Sequence, residues 1–202
     1  EGTPFDMSAE AAWLVPEGDK MVKSPLATPF VTKNLRTLLK IPYNRPVAKW
    51  DCAYSFVSQA RSGYPAPVRT VLWFGYDNPH TTCYVPIYSG VLETLGSWRV
   101  FDRNAFSLGS AQWAFILADD LVNHRYQEAI QDLVKVRTPL EEAFFKELAD
   151  IDEKALDLAK NDPAAAQKYV TEYTQSCMKK AEKAWWDLNW QLISAYNNNK
   201  KK

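Results

Sequence analysis

A short polar row in the first half of the sequence could bind the carboxylate or amide groups of a small substrate. From residue 50 to residue 61 the side chains alternate with the period of a β-strand, and Ser55, Val57, Gln59 and Arg61 share one face. The planar guanidinium of Arg61 would hold a carboxylate through two parallel hydrogen bonds. A strand whose polar end runs out into solvent is the commoner explanation of such a row. Gln59 and Arg61 are therefore candidate substrate-binding residues, and the alternative is that they form the solvent-exposed end of a strand.

The turn after the next apolar segment carries a third candidate. Asn78 lies in the sequence Asp77-Asn78-Pro79, and its amide is a weaker candidate for contact with substrate. His80 follows, three residues before Cys83. Residues at this spacing in a turn seldom point at each other, so a catalytic His80–Cys83 dyad is disfavoured. No catalytic residue is assigned to this chain.

The three cysteines lack the spacing of metal ligands. Cys52 lies on the apolar face of its predicted strand and Cys177 in an apolar helical stripe, which favours buried, inert thiols. A disulfide between Cys52 and Cys83 could form if their strands are neighbours, and the sequence does not decide this. The sequence predicts no metal site and no cofactor.

Three short apolar segments predict the strands that would position these residues, at 50–57, 68–76 and 83–88. Prolines and a glycine interrupt the chain at 62–67, and a second turn lies at 77–79. The second segment is apolar on both sides from Val71 to Phe74. We therefore expect this strand to be covered on both faces, partly by something outside the chain.

From residue 110 the apolar period becomes that of α-helices. Ser110 is predicted to cap a first helix of about 111–136, Thr138-Pro139 to begin a second, and Pro163 to begin a third that ends near 196. Six prolines predict an irregular segment at 1–46, with a short helix at 32–39. The result is an α+β chain in two parts: 1–109 with the strands, and 110–202 with three helices and a polar tail at 197–202, expected to fray.

Composition excludes some classes of function. The 24 lysines and arginines balance 24 acidic residues, which gives no footprint for nucleic acid or for an anionic membrane. No apolar run approaches the roughly 20 residues of a membrane span. Eight tryptophans, ten tyrosines and nine phenylalanines are a heavy aromatic load, expected in a core or at an interface.

Several segments together resemble the later part of the C69 family of cysteine dipeptidases. They are EGTPFDM at 1–7, SFVSQAR at 55–61, VLWFG at 71–75, YVPIY at 84–88, WAF at 113–115 and RYQ at 125–127. The resemblance implies an N-terminal-nucleophile hydrolase with a four-layer αββα fold. It also implies a nucleophilic cysteine that becomes the first residue after a leader is removed.

The sequence departs from that pattern at Glu1, because the mechanism needs a thiol beside a free α-amine. We therefore expect the C-terminal portion of a dipeptidase, inactive alone, that completes the αββα sandwich with an N-terminal catalytic portion of the same enzyme and acts on a small peptide. The sequence does not decide whether the chain forms a homo-oligomer. Relatives of this kind are often exported. The alternative function is a non-catalytic module that binds a peptide, glycan or protein through its aromatic surface.

Overall fold

The computed structural model describes residues 5–196. Glu1 and the polar tail at 197–202, with their predicted roles, lie outside the described residues. The described chain combines helices with two small antiparallel sheets, which confirms the α+β class. Within residues 5–196, none of the helices has the length and apolarity needed to cross a bilayer.

The larger sheet has three strands in the order β3-β4-β5, at Tyr54–Ala60, Thr70–Tyr76 and Val85–Tyr88. Its register places Phe56 opposite Phe74, and Trp73 opposite Pro86. The predicted hairpin and third strand are confirmed. The first strand begins later than predicted because a turn precedes it, in which Cys52 N donates to the Lys49 carbonyl oxygen at 3.2 Å.

The segment predicted to be irregular contains a second hairpin. Strands β1 (Leu14–Glu17) and β2 (Lys20–Lys23) pair across a two-residue turn in which Gly18 has a φ of +59°. Glycine favours this left-handed conformation because it has no Cβ. The expected short helix is present as α1 (Lys33–Leu39), and the Thr32 side chain accepts a hydrogen bond from Leu35 N at its start.

The helical region breaks at a different place from the one predicted. Helix α2 spans Ala111–His124, α3 spans Tyr126–Asn161 and α4 spans Pro163–Tyr196. The predicted break before Pro139 is wrong, since this proline lies inside α3. A proline costs a helix one backbone hydrogen bond, and the packing of α3 along α4 retains the helix there.

The break lies instead at Arg125, whose φ of −142° and ψ of 61° leave the helical region. This change of direction allows Tyr126 to be fully buried in the core. The predicted start of the last helix is confirmed. Asp162 Oδ1 accepts hydrogen bonds from the N–H groups of Ala164 and Ala165, both at 3.0 Å.

One hydrophobic core joins the helices to one face of the sheet. Val71 and Trp73 of β4 are buried on this face, and the Trp73 ring lies 4.2 Å from the Phe145 ring of α3. Thr174 of α4 donates to the Pro86 carbonyl oxygen at 3.1 Å. Among the helices, Phe115 and Trp185 stack with ring centroids 5.0 Å apart.

The described residues cover the opposite face of the sheet only in part, as expected if the rest of its cover lies outside the chain. Phe74 is half-buried beside Trp98, whereas Tyr54 and Phe56 are 56% and 55% exposed. We call this surface, formed by Tyr54, Phe56, Leu72 and Phe74, the open sheet face. The sheet therefore has one layer of helices on one side and exposed aromatic side chains on the other.

Candidate functional site

The end of β4 carries the most unusual backbone of the sheet. Asp77, the residue after the strand, has a φ of +63°, and its N–H donates to the Ala53 carbonyl oxygen at 3.0 Å. A non-glycine residue in this conformation costs about 1 kcal/mol or more, and such positions are concentrated at functional sites. Aspartate is among the residues that tolerate it. This strand end is therefore a candidate site.

Hydrogen bonds between buried polar side chains join the residues that follow Asp77 to α2. Asn78 Nδ2 donates to Asp119 Oδ1 of α2 at 3.0 Å, and Thr81 Oγ1 donates to the same oxygen at 2.6 Å. Asn78 Oδ1 accepts from His80 N at 3.1 Å. We call Asp77, Asn78, Thr81 and Asp119 the polar cluster; it fixes the β4–β5 connection to α2.

Both carboxyl groups of the polar cluster titrate closer to neutrality than ordinary aspartates. Burial raises the pKa of Asp119 to about 6, although the hydrogen bonds from Thr81 and Asn78 oppose the shift. Burial, followed by repulsion from Asp119, raises the pKa of Asp77 to about 7. A half-buried carboxyl group with such a pKa can donate or accept a proton near neutral pH.

Asp77 and Asp119 are not among the candidate site residues that the sequence predicts. A signal was present for each. Asp77 begins an Asp-Asn-Pro turn directly after a strand, where a positive φ is common. Asp119 is a charged residue at a buried position of α2, on the same helical face as Phe115 and Val122.

His80 is held in an aromatic environment. Its Nε2 lies 2.6 Å from the Tyr126 hydroxyl oxygen, and its ring stacks on the Tyr126 ring at 5.9 Å. Arg137 Nη1 donates to the His80 carbonyl oxygen at 2.6 Å. The neighbouring Cys83 is completely buried, and burial raises the pKa of its thiol. These contacts support the rejection of a His80–Cys83 dyad, because a buried neutral thiol is a poor nucleophile.

The other thiols are also explained by their surroundings. All three cysteines are free, so the Cys52–Cys83 disulfide left open by the sequence is not formed. Cys177 is buried as predicted, and burial raises its pKa to about 12. Cys52 is half-buried rather than buried, since it precedes β3 in a turn.

Arg61 has partners within the chain where the sequence suggested a substrate carboxylate. Its guanidinium forms an ion pair with Asp152 of α3, donates to the Val68 carbonyl oxygen and lies 4.7 Å above the Tyr64 ring. The Tyr88 hydroxyl donates to the other Asp152 oxygen at 2.8 Å. The face that carries Gln59 and Arg61 is thus turned towards α3.

The three predicted site residues do not meet at one point. Gln59 is exposed and pairs with Val71 near the start of β4, where its Oε1 accepts from Trp73 Nε1 at 3.4 Å. Asn78 is fully buried beyond the other end of β4. At about 3.3 Å per residue the two ends of this strand are roughly 20 Å apart. One dipeptide cannot reach both.

No group of three or more histidine, cysteine or acidic side chains in the described part of the chain is arranged to hold a metal ion. The model of the family described as Peptidase family C69 matches residues 1–138, more than half of the chain. The match includes the sheet, the polar cluster and α2, and it ends within α3. No curated protein matches the chain.

Proposed function

The chain belongs to peptidase family C69, and from this premise we propose that it is the C-terminal portion of a dipeptidase. Its nucleophilic cysteine lies on a separate N-terminal catalytic portion of the enzyme, and the two portions together form an αββα sandwich. Residues 1–109 supply strands to one sheet, and residues 110–202 supply the helical layer behind it.

The open sheet face is the observation that carries this proposal. Helices cover one side of β4, while Tyr54 and Phe56 on the other side keep more than half of their surface exposed. The spacing of sheets packed face to face is about 10 Å, so a second sheet would bury these rings. A helix layer with one sheet is half of the four-layer arrangement.

The state of the thiols supports a nucleophile outside the described residues. Cys83 and Cys177 are buried, and burial raises the pKa of each. A cysteine peptidase needs a thiolate that its substrate can reach. Neither buried thiol meets this requirement. The third thiol, Cys52, is half-buried, so the proposal that a cysteine outside the described residues performs the attack rests on the open sheet face and requires that replacing Cys52 leave the activity of the assembly intact.

The predicted binding residues have separate roles in this proposal. Gln59 is exposed and is the proposed contact with substrate at its end of the sheet. Arg61, paired with Asp152, would meet a substrate carboxylate only by exchanging partners. Asn78 holds Asp119 and the β4–β5 connection, and so positions the half-exposed Asp77 carboxyl group.

The native material provides the direct test. Intact mass and N-terminal sequencing should identify a second polypeptide that begins with cysteine and co-purifies with this chain. The assembly should hydrolyse dipeptides, and iodoacetamide should abolish that activity equally when Cys52 of this chain is replaced by alanine. Phe56→Asp should prevent the association, whereas Val47→Asp, at a residue 98% exposed, should not. A monodisperse 202-residue monomer without peptidase activity would favour the non-catalytic binding module instead.

A further inference from the structure

The two outer edges of the three-stranded sheet differ in how they are protected. At one edge, β5 has four residues, includes Pro86 and packs against α4, whose Thr174 donates to the Pro86 carbonyl oxygen at 3.1 Å. Short length, proline and a covering helix are common ways of keeping a sheet edge from pairing with other strands. At the other edge, β3 runs for seven residues with neither proline nor a charged side chain, and its register with β4 is unbroken. Of the two edges, only that of β3 lacks protection by the described residues.

The hydrogen bonds between β3 and β4 show which main-chain groups face outwards. At one end of β3, Arg61 N donates to the Arg69 carbonyl oxygen at 2.9 Å, and at the other end Asp77 N donates to the Ala53 carbonyl oxygen at 3.0 Å. In an antiparallel pair, positions bonded in this way alternate with positions whose N–H and C=O point away. Because residues 53 and 61 both face β4, the odd-numbered residues between them also do. The residues whose main-chain groups point to the free edge are therefore Tyr54, Phe56, Ser58 and Ala60.

The side chains next to this edge are exposed on both faces of the sheet. On the open sheet face, Tyr54 and Phe56 keep more than half of their surface exposed. On the helix side, Val57 pairs with Trp73, and the Phe145 ring of α3 lies against the Trp73 ring. Val57 and Phe145 are also more than half exposed. A strand paired with β3 would lie about 4.8 Å further out, and its side chains would cover apolar surface on both faces.

We propose that the outer edge of β3 pairs with a β-strand of the N-terminal catalytic portion, so that the sheet continues from this chain into its partner. The inference rests on the proposed function, in which that portion completes the sandwich. Tyr54 and Phe56 belong to the edge through their main-chain groups and to the open sheet face through their rings. One partner that adds a strand here and a second sheet above it covers both surfaces.

The edge also defines the kind of strand that fits. To pair along the whole of β3 it needs about seven residues without an internal proline. Its side chains must be apolar on both faces, because α3 lies on one side and the second sheet on the other.

Other occupants of the edge fit less well. An extended dipeptide spans about 7 Å, whereas the seven residues of β3 span about 23 Å, so a substrate would leave most of the outward groups unpaired. A second copy joined edge to edge would satisfy the main chain. The rings of Tyr54 and Phe56 would nevertheless stay exposed on the open face of the joined sheet.

Hydrogen exchange of single amides tests the pairing, measured on the isolated full chain and on its assembly with the co-purified polypeptide. In the isolated chain, the amides of Val57 and Gln59 should exchange at least about tenfold more slowly than those of Phe56 and Ser58, because only the first two are bonded to β4. In the assembly, the Phe56 and Ser58 amides should become as slow as their neighbours. If they stay fast in an intact, active assembly, the edge is free and the inference is wrong, while the proposed function stands.

Proline at position 58 provides a second test. Ser58→Pro removes an N–H that points away from β4 and places the proline ring in the path of an added strand. It should lower the fraction of this chain recovered with the second polypeptide at least about tenfold, whereas Ser58→Ala keeps the N–H and should associate like the wild type. Because neither variant loses a hydrogen bond to β4, both should unfold at nearly the same urea concentration. Val57→Pro removes an inward N–H and should unfold at a lower one.

The outcomes separate this inference from the proposed function. Loss of association in Phe56→Asp but not in Ser58→Pro would confine the partner to the open sheet face and overturn the edge pairing. Absence of a second polypeptide from the native material would overturn the proposed function, and this inference with it. Slow exchange of the Phe56 and Ser58 amides in the isolated chain, lost on dilution, would assign the edge to a second copy instead.

Discussion

Arg61 and Asp152 lie 91 positions apart in the sequence and form an ion pair that joins the end of β3 to α3. Their side chains are only 12% and 13% exposed. Asp152 also accepts a hydrogen bond from Tyr88 of β5, so one carboxylate joins two strands of the sheet to the helical layer.

The pair is expected to act on stability. Removing one partner leaves the other charge poorly solvated, so Arg61→Ala should lower the free energy of unfolding by about 2–4 kcal/mol, measured by urea denaturation. The double variant Arg61→Met/Asp152→Leu should recover much of this loss, because no buried charge remains. A stable Arg61→Ala variant whose assembled enzyme turns over dipeptides poorly would instead support the substrate-binding role suggested by the sequence.

The polar cluster predicts a dependence of stability on pH. The pKa of Asp77 is raised from 3.8 to about 7 and that of Asp119 to about 6, so the folded state binds protons more tightly than the unfolded state. This contribution is complete below pH 3.8 and is lost as the pH rises through 6 and 7. Asp77→Asn should reduce the loss of stability as the pH rises through 7, measured as the denaturation midpoint at each pH. Asparagine tolerates the same φ, so the backbone should be unchanged.

The exposed Asp102→Asn is the matched control and should leave the pH profile unchanged. A profile that is flat between pH 4 and 8 in the wild type would show that these carboxyl groups do not affect stability as their burial indicates.

Gly90 permits a close approach that any side chain would block. A Cβ at this position would lie 2.7 Å from the Pro67 backbone, to which Gly90 N also donates a hydrogen bond. Gly90→Ala should therefore destabilise the protein by roughly 1–3 kcal/mol through overpacking. Gly96→Ala provides the comparison, because its Cβ would meet no atom within 4 Å. Equal melting temperatures for the two variants would contradict the proposed contact.

The thiols should differ in reactivity. Cys83 and Cys177 are buried, whereas Cys52 is half-buried. In the folded protein a thiol reagent should modify Cys52 first, and denaturation should release the other two. Peptide mass mapping after a short exposure to iodoacetamide measures the order. Rapid labelling of Cys83 in the folded state would show that the β4–β5 connection opens readily.

The larger sheet and the last helix follow from local signals in the sequence. Alternating residues before a turn predict β3, and a nearly continuous apolar run predicts β4. The sequence Asp162-Pro163 predicts the start of α4 with its cap. The break between α2 and α3 depends on tertiary packing. Tyr126 turns into the core, and the contact with α4 outweighs the local cost of Pro139.

The candidate site was harder to predict because its geometry is non-local. Polarity and spacing identified Asn78, but its partner Asp119 lies 41 positions away. Arg61 has the chemistry of a carboxylate ligand, and only the fold shows that Asp152 supplies a carboxylate. The residue types of Asn78 and Arg61 indicated which groups they could bind, whereas their partners depend on how the helices pack on the sheet.

Strand β3 has a practical consequence for anyone who produces this chain by itself. In the described residues β4 is its only strand partner, and its other edge runs for seven residues without proline or lysine. Such an edge is a template for adding strands from neighbouring molecules, and the aromatic rings beside it would strengthen that growth. Isolated material should therefore form fibrillar or amorphous precipitates at high concentration, and a lysine in place of Val57 should delay their appearance.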